Sequence, residues 1–308
     1  MYDPISSSHL PPHPSLPSGV IADGFMKRMN QVTRLLTASE QGLSEKVTHD
    51  LRVAIRRCRS VAYGVKGLDP GGPWRQMSKE LRRIFRTLGH LRDLHVMQLW
   101  MEKLGKASDP VRRKVTAILR RREQDCLIVI RDSLDRFDHD RWEEWCETLP
   151  DRLQETLASH PVLITMALER LQDFLSIHQE MLPTELEEIW HRARVALKRF
   201  RYTVENFLPE QHQEWQRDLE NLQDILGEIH DLDVLGAYLE SLSSLFEPVD
   251  RERWRKMIRR ERRHRIEGYL ARTTGQDSPL DAWQNGLQVL QDIHTGRPRS
   301  ATGTGISN

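Results

Sequence analysis

Residues 49–59 read HDLRVAIRRCR, and residues 191–201 read HRARVALKRFR. At about 100° per residue, His49, Arg52, Arg56 and Arg59 fall within about an 80° arc of one helix, while Leu51, Ala54, Ile55 and Cys58 occupy the neighbouring face. His191, Arg194, Lys198 and Arg201 repeat the stripe position for position beside Val195, Ala196, Leu197 and Phe200. One edge of each helix is therefore core and the next is cationic. Across positions 52–59 no Asp or Glu stands four residues from a stripe arginine, as it would on an ordinary salt-bridged surface helix. Like charges at this spacing repel by a few tenths of a kcal/mol per pair, so an anionic partner is the natural expectation.

The repetition extends beyond these helices. ELRRIFRTLGHLRDLHV at 80–96 aligns with DLENLQDILGEIHDLDV at 218–234, Arg121-Arg122-Glu123 aligns with Arg259-Arg260-Glu261, and FMKRM at 25–29 aligns with ALERL at 167–171. Two homologous halves follow, residues 21–158 and 159–294, between Pro, Gly, Ser and Thr-rich tails at 1–20 and 295–308 that are expected to be flexible. Apolar residues recur at i, i+3, i+4 and i+7 throughout, and alternating β-branched runs are absent, so the chain is predicted to be all-α. Short connections between long amphipathic helices favour antiparallel bundles, with the halves related by a pseudo-twofold. The Leu-Gly pairs at 88–89 and 226–227 predict breaks, with new helices from about residues 93 and 231. Asp93 and Asp231 would then act as N-caps.

Composition narrows the function. The 308 residues are 38% hydrophobic and 30% charged, enough for one large or two modest cores. No apolar run approaches a membrane span, and the first thirty residues lack the basic start and apolar stretch of a leader, so a soluble cytoplasmic protein is expected. Three well-separated cysteines, Cys58, Cys126 and Cys146, suggest neither a disulfide framework nor a zinc site. Of 46 basic residues 37 are Arg, whose planar fork binds carboxylate or phosphate bidentately. The net charge of +1 hides segregation: residues 251–265 hold nine basic against two acidic residues, and 205–247 hold one basic against eleven acidic. Neither helical His pairs at metal-ligand spacing nor a Walker A or G-x-S-x-G motif occurs, so no metal, cofactor or enzymatic turnover is expected.

The stripes together with L-G-H-L-R-D-L-H-V and L-G-E-I-H-D-L-D-V resemble the two halves of a CHAD domain, the conserved-histidine alpha-helical domain. The likeness spans roughly residues 21–293. It implies two pseudo-symmetric halves of long antiparallel helices around a central basic groove or pore that binds inorganic polyphosphate, with association with polyphosphate granules a further implication. Carried onto matching positions, the binding residues are His49, Arg52, Arg56, Arg57 and Arg59, and His191, Arg194, Lys198, Arg199 and Arg201. The halves differ where His95 matches Asp233, where Arg92 matches His230, and where Ala193 stands before Arg194.

Elementary physics accords with that ligand. Polyphosphate carries about one charge per residue and no base, and a helix offers one forked cation per turn, about 5.4 Å apart. Two such helices face to face would make a continuous track, and His49 and His191 would strengthen binding as pH falls. Arg121, Arg122, Arg259 and Arg260 are candidates for the walls, with pairing to the acidic helices as the alternative. Arg82, Arg83 and Arg86 read as surface or one-sided groove residues, and Tyr202 and Glu205 as packing and pairing between helices. Nucleic-acid or general polyanion binding is the runner-up, although the aromatics look scattered rather than set among the arginines. A helical adaptor for an acidic protein segment is the third reading, and no membrane partner is expected.

Overall fold

The computed structural model describes residues 18–158, 162–275 and 278–295. Ten α-helices fill them: α1 (Ser18–Gln41), α2 (Glu45–Val65), α3 (Trp74–Leu104), α4 (Pro110–Asp135), α5 (His139–Ala158), α6 (Leu163–Met181), α7 (Glu187–Phe207), α8 (Pro209–Ser241), α9 (Pro248–Thr273) and α10 (Pro279–Thr295), with one 3-10 turn at Ser243–Leu245. No strand occurs among the described residues, and none of their helices is long and apolar enough to cross a membrane. Local chemistry sets many helix starts. Ser44 caps α2 by accepting from the Val47 amide at 3.2 Å, and Asp109 caps α4 by accepting from the Val111 and Arg112 amides. Prolines 110, 209, 248 and 279 open α4, α8, α9 and α10, where their missing N–H costs nothing.

Two expectations need correction. Ser18, Gly19 and Val20 belong to α1, which runs into the buried Ile21, Ala22 and Phe25, so the leading tail ends before residue 18. The remaining tail residues, 1–17 and 296–308, and the proposed junction at 159 lie outside the described residues. The predicted breaks at Leu88-Gly89 and Leu226-Gly227 do not occur either. α3 runs unbroken for 31 residues and α8 for 33, because the residues flanking each glycine, Leu88 and Leu91 on α3 and Leu226 and Ile229 on α8, are buried in the cores and hold the helix on.

Packing follows one order in each stretch of five helices. α1 lies on α2 and α5, α2 on α3, and α3 on α4; likewise α6 lies on α7 and α10, α7 on α8, and α8 on α9. Two cores result, one around Phe25, Leu51, Ile84 and Trp142, the other around Phe174, Leu197, Leu222 and Trp283. A third core, with Trp100, Met101, Val115, Leu235 and Trp254, is built jointly by the C-terminal parts of α3 and α8 and the N-terminal parts of α4 and α9. The halves therefore share apolar packing as well as standing side by side.

α2 meets α7 and α3 meets α8 in the middle of the molecule. The α2–α7 approach is close because Gly64 has no side chain: a Cβ there would stand 2.5 Å from the Phe207 ring. Gly64→Val is expected to push these helices apart and to cost about 1–3 kcal/mol. Thermal unfolding followed by circular dichroism checks this, and an unchanged midpoint would show that the Phe207 ring simply swings aside.

Candidate functional site

The two stripe helices face each other across this central junction. Arg52 and Arg56 of α2 lie close enough to Arg194 and Lys198 of α7 for each to bear on the others' charge. Asp93 of α3 and Asp231 of α8 lie near the same cations, together with Arg92 and His230. This junction is thus framed by α2, α3, α7 and α8, with cations on the first and third and a mixture on the others.

Aromatic rings position the guanidinium groups. Arg52 stacks over Phe85 at 4.3 Å from its centroid while its Nη1 donates to the Phe85 carbonyl at 3.1 Å. Arg59 lies over the same ring at 4.9 Å, and Arg56 over Tyr202 at 5.2 Å. Gly89, the residue read as a helix break, instead makes room for this arrangement, since a Cβ there would stand 2.9 Å from Arg52 Nη1. Two aromatics, Phe85 and Tyr202, are therefore set among the stripe arginines. They come from positions far along the chain or on the adjoining helix, and arginines stack on them.

Arg52, Arg56, Arg59, Arg194 and Lys198 have no carboxylate within 4.0 Å among the described residues. The Nε atoms of Arg56, Arg59 and Arg194 are closed off from water and find no acceptor. Buried donors are normally satisfied and buried charges normally paired, so five unpaired cations side by side, three of them with an orphaned Nε, depart from the usual pattern of a folded interior. Burial, reinforced by Arg194, Arg56 and Arg52 and opposed by Asp231, depresses Lys198 to about 7. Burial lifts Asp231 to about 6 against the pull of Arg194, Arg92 and Lys198, and raises Asp93 as well. Asp93 and Asp231 are thus mid-helix carboxylates in the cleft and not N-caps. Their repetition in both halves was visible in the sequence, but the preceding Leu-Gly pair pointed elsewhere.

The remaining predicted residues divide. His49 and His191 are exposed, and burial together with nearby cations lowers both from the ordinary imidazole value. His191 Nδ1 lies 3.3 Å from His230 Nδ1, while burial and those cations bring His230 to about 4. Arg57 is engaged on another side of α2, its Nε 2.7 Å from the buried Glu205, and Arg201 is buried with Nη2 3.0 Å from Glu220. Glu205 thus pairs between helices as expected, whereas Tyr202 lies beneath a cleft arginine. Arg199 is exposed on the α6 side of α7. Arg82 is exposed and bears on Arg59, whereas Arg83 pairs with Glu80.

Arg121, Arg122, Arg259 and Arg260 are all exposed, on α4 and α9. Arg122 stacks over Tyr238 at 5.1 Å, and Arg259 reaches Glu252 at 3.5 Å. None of the four is among the charges that perturb the stripe residues. Pairing with the acidic α8 falls to other arginines of α9: Arg255, Arg262 and Arg265 bind Glu240, Asp233 and Glu228. His95 likewise binds Glu123 at 3.2 Å, so the matched positions His95 and Asp233 each tie a long helix to the one after it.

The sequence model of the CHAD domain matches residues 28–240. A crystal structure titled as the CHAD domain from the plant Ricinus communis is similar over 94% of this chain and 97% of that one, at 20% identity and a TM-score of 0.59. Among curated proteins, none matches.

Proposed function

The chain belongs to the CHAD domain family, and from that premise we propose that its central cleft binds inorganic polyphosphate without turning it over. The single observation that carries the reading is the set of five cations, Arg52, Arg56, Arg59, Arg194 and Lys198, that stand together at the central junction and lack carboxylate partners among the described residues. Chain phosphates supply the missing acceptors at each helical turn, and charge-assisted bonds of this kind are the strong ones. Phe85 and Tyr202 hold the guanidinium planes in place, which lowers the entropy lost on binding. Because arginines stack on these rings, they serve as platforms for cations and not for bases, which favours a base-free anion over nucleic acid. The repeated order of helix packing further supports two halves related by a pseudo-twofold, with the cleft between them.

Titration of the protein with long-chain polyphosphate at two salt concentrations, with DNA, RNA, an acidic peptide and orthophosphate as competitors, tests this reading. Tight, salt-sensitive binding that only polyphosphate competes is expected, with no release of orthophosphate over time. Equal competition by nucleic acid would make the cleft a general polyanion site, and competition by the peptide would make it an adaptor. Granule association follows from the same reading and is checked by co-localisation in cells that store polyphosphate.

Affinity should fall as pH rises from 6 to 8. Free Lys198 loses its proton near 7, and bound phosphates favour the protonated form, so binding takes up a proton and weakens as pH climbs through that value. Asp231 ionises above about 6 and its negative charge then opposes the ligand, which acts in the same direction. A rise in Kd of about tenfold over this range is expected, since one linked proton is worth up to a factor of ten per pH unit. Lys198→Arg should bind well with most of that slope removed; an unchanged slope in this variant would take Lys198 out of the proton linkage.

A further inference from the structure

A separate cavity of about 400 Å³ lies on the far side of α8. Its α8 residues, Leu232 and Asp233 through Leu239 and Glu240, centre roughly 160° around the helix from Asp231, which faces the central cleft. Across from them stands the α9 face with Arg251, Arg255, Ile258, Arg259 and Arg262, and Val111, Phe246 and Glu187 close the sides.

The floor is apolar, with Leu232 and Ile258 belonging to the third core and Phe246 packed against it. The rim carries four arginines in unequal states. Arg255 is held by Glu240 at 2.8 Å and Glu252 at 3.1 Å, Arg262 by Asp233 at 2.6 Å, and Arg259 reaches Glu252 at 3.5 Å. Arg251 has no ion pair among the described residues, and its Nε is shut off from water with no acceptor. The Arg262 side chain is 9% exposed, and its Nη2 is in the same condition. One uncommitted guanidinium and one orphaned buried donor therefore overlook a greasy floor.

We propose that this cavity is a second binding site, for a small organic monoanion: a carboxylate with an aromatic or aliphatic body. The acid group would bridge Arg251 and Arg262 Nη2, and the body would cover the Leu232, Ile258 and Phe246 surface. A polyanion does not suit it, because three of the four arginines are already neutralised and Glu187 adds a negative charge to the lining. The site is thus chemically distinct from the central cleft, and its existence is independent of what that cleft binds.

Calorimetric titration of the full chain with 1-naphthoate, alone and after saturation with long-chain polyphosphate, tests the proposal. One-to-one binding that polyphosphate leaves within twofold is expected. 1-Naphthalenemethanol, a neutral analogue of similar size, should bind at least tenfold more weakly, and Arg251→Gln should weaken naphthoate at least fivefold. Gly236→Leu should abolish binding by filling the cavity, for the nearest atom to a Cβ at 236 is Ile258 Cγ2 at 3.9 Å and leucine favours the helix. Both variants should keep the wild-type circular dichroism spectrum. Absence of naphthoate binding, equal binding of the neutral analogue, displacement by polyphosphate, or wild-type affinity in a folded Gly236→Leu protein would each overturn it.

Discussion

Replacing Arg52, Arg56, Arg194 and Lys198 together with glutamine is expected to weaken polyphosphate binding at least a hundredfold while the protein stays helical. The expectation rests on the state of these side chains before any ligand arrives. Each is partly buried, and among the described residues none has a carboxylate within 4.0 Å and two have a buried Nε with no acceptor. A hydrogen bond to a charged group contributes roughly 1.5–3 kcal/mol, and about 1.4 kcal/mol is tenfold in affinity, so even partial loss at four sites exceeds the stated factor. The salt dependence of whatever binding remains should also flatten, because fewer counterions are exchanged. Native affinity in a folded variant would remove the stripe from the mechanism.

Stability should respond in the opposite sense at one of these positions. Burial and three arginines all disfavour the Lys198 ammonium, with only Asp231 helping it, so Lys198→Met is expected to raise the unfolding midpoint. The pH dependence fixes the sign. In the unfolded chain a lysine holds its proton to about pH 10.4, whereas the folded one releases it near 7, so this residue makes stability rise as pH climbs from about 7 toward 10. The methionine variant should lose that rise. A lower midpoint at pH 7 would mean that the ammonium is better neutralised than its surroundings indicate.

The stripe was legible because it is a local pattern: a 3.6-residue period, read twice at matching spacing, needs no knowledge of the partner helix. What the stripe faces was not. Phe85 and Arg52 are 33 positions apart and Arg56 and Tyr202 are 146 apart, so nothing in a sequence window shows that a ring lies beneath a guanidinium. Gly89 shows how a local rule can mislead. A glycine in a helical pattern ordinarily weakens it, yet here the missing Cβ admits Arg52, and the helix continues because its neighbours bury both ends of the segment. The same rule misplaces Asp93 and Asp231 as helix caps. Similarly, Trp100 and Trp254 stand 154 positions apart, and no local pattern shows that the two share a core drawn from both halves.

Glu205 provides the complementary test, since it sits one turn beyond the cleft and does the opposite work. It is buried on α7 with Oε1 2.7 Å from Arg57 Nε of α2, and its carbonyl accepts from Arg28 Nη2 of α1 at 3.3 Å. The next residue, Asn206, donates to Ser60 at 2.7 Å and accepts from Arg28, so three helices are clasped at this level. Removing the carboxylate leaves Arg28, Arg57 and Arg56 to repel one another with no anion between them. Glu205→Ala should therefore cost about 3 kcal/mol, as removal of one partner of a buried pair does, and lower the midpoint by roughly 5 °C. Its effect on ligand should have the other sign. Glu205 offsets the positive charge of Arg56, so its loss leaves polyphosphate affinity unchanged or tighter, and added polyphosphate should recover more midpoint in the variant than in the wild type by supplying the missing negative charge. A variant that kept its midpoint but lost affinity would place Glu205 among the ligand-binding groups and not in the clasp. A unit charge, removed as a cation from the stripe or as an anion one turn away, thus separates what the stripe contributes to binding from what it costs the fold.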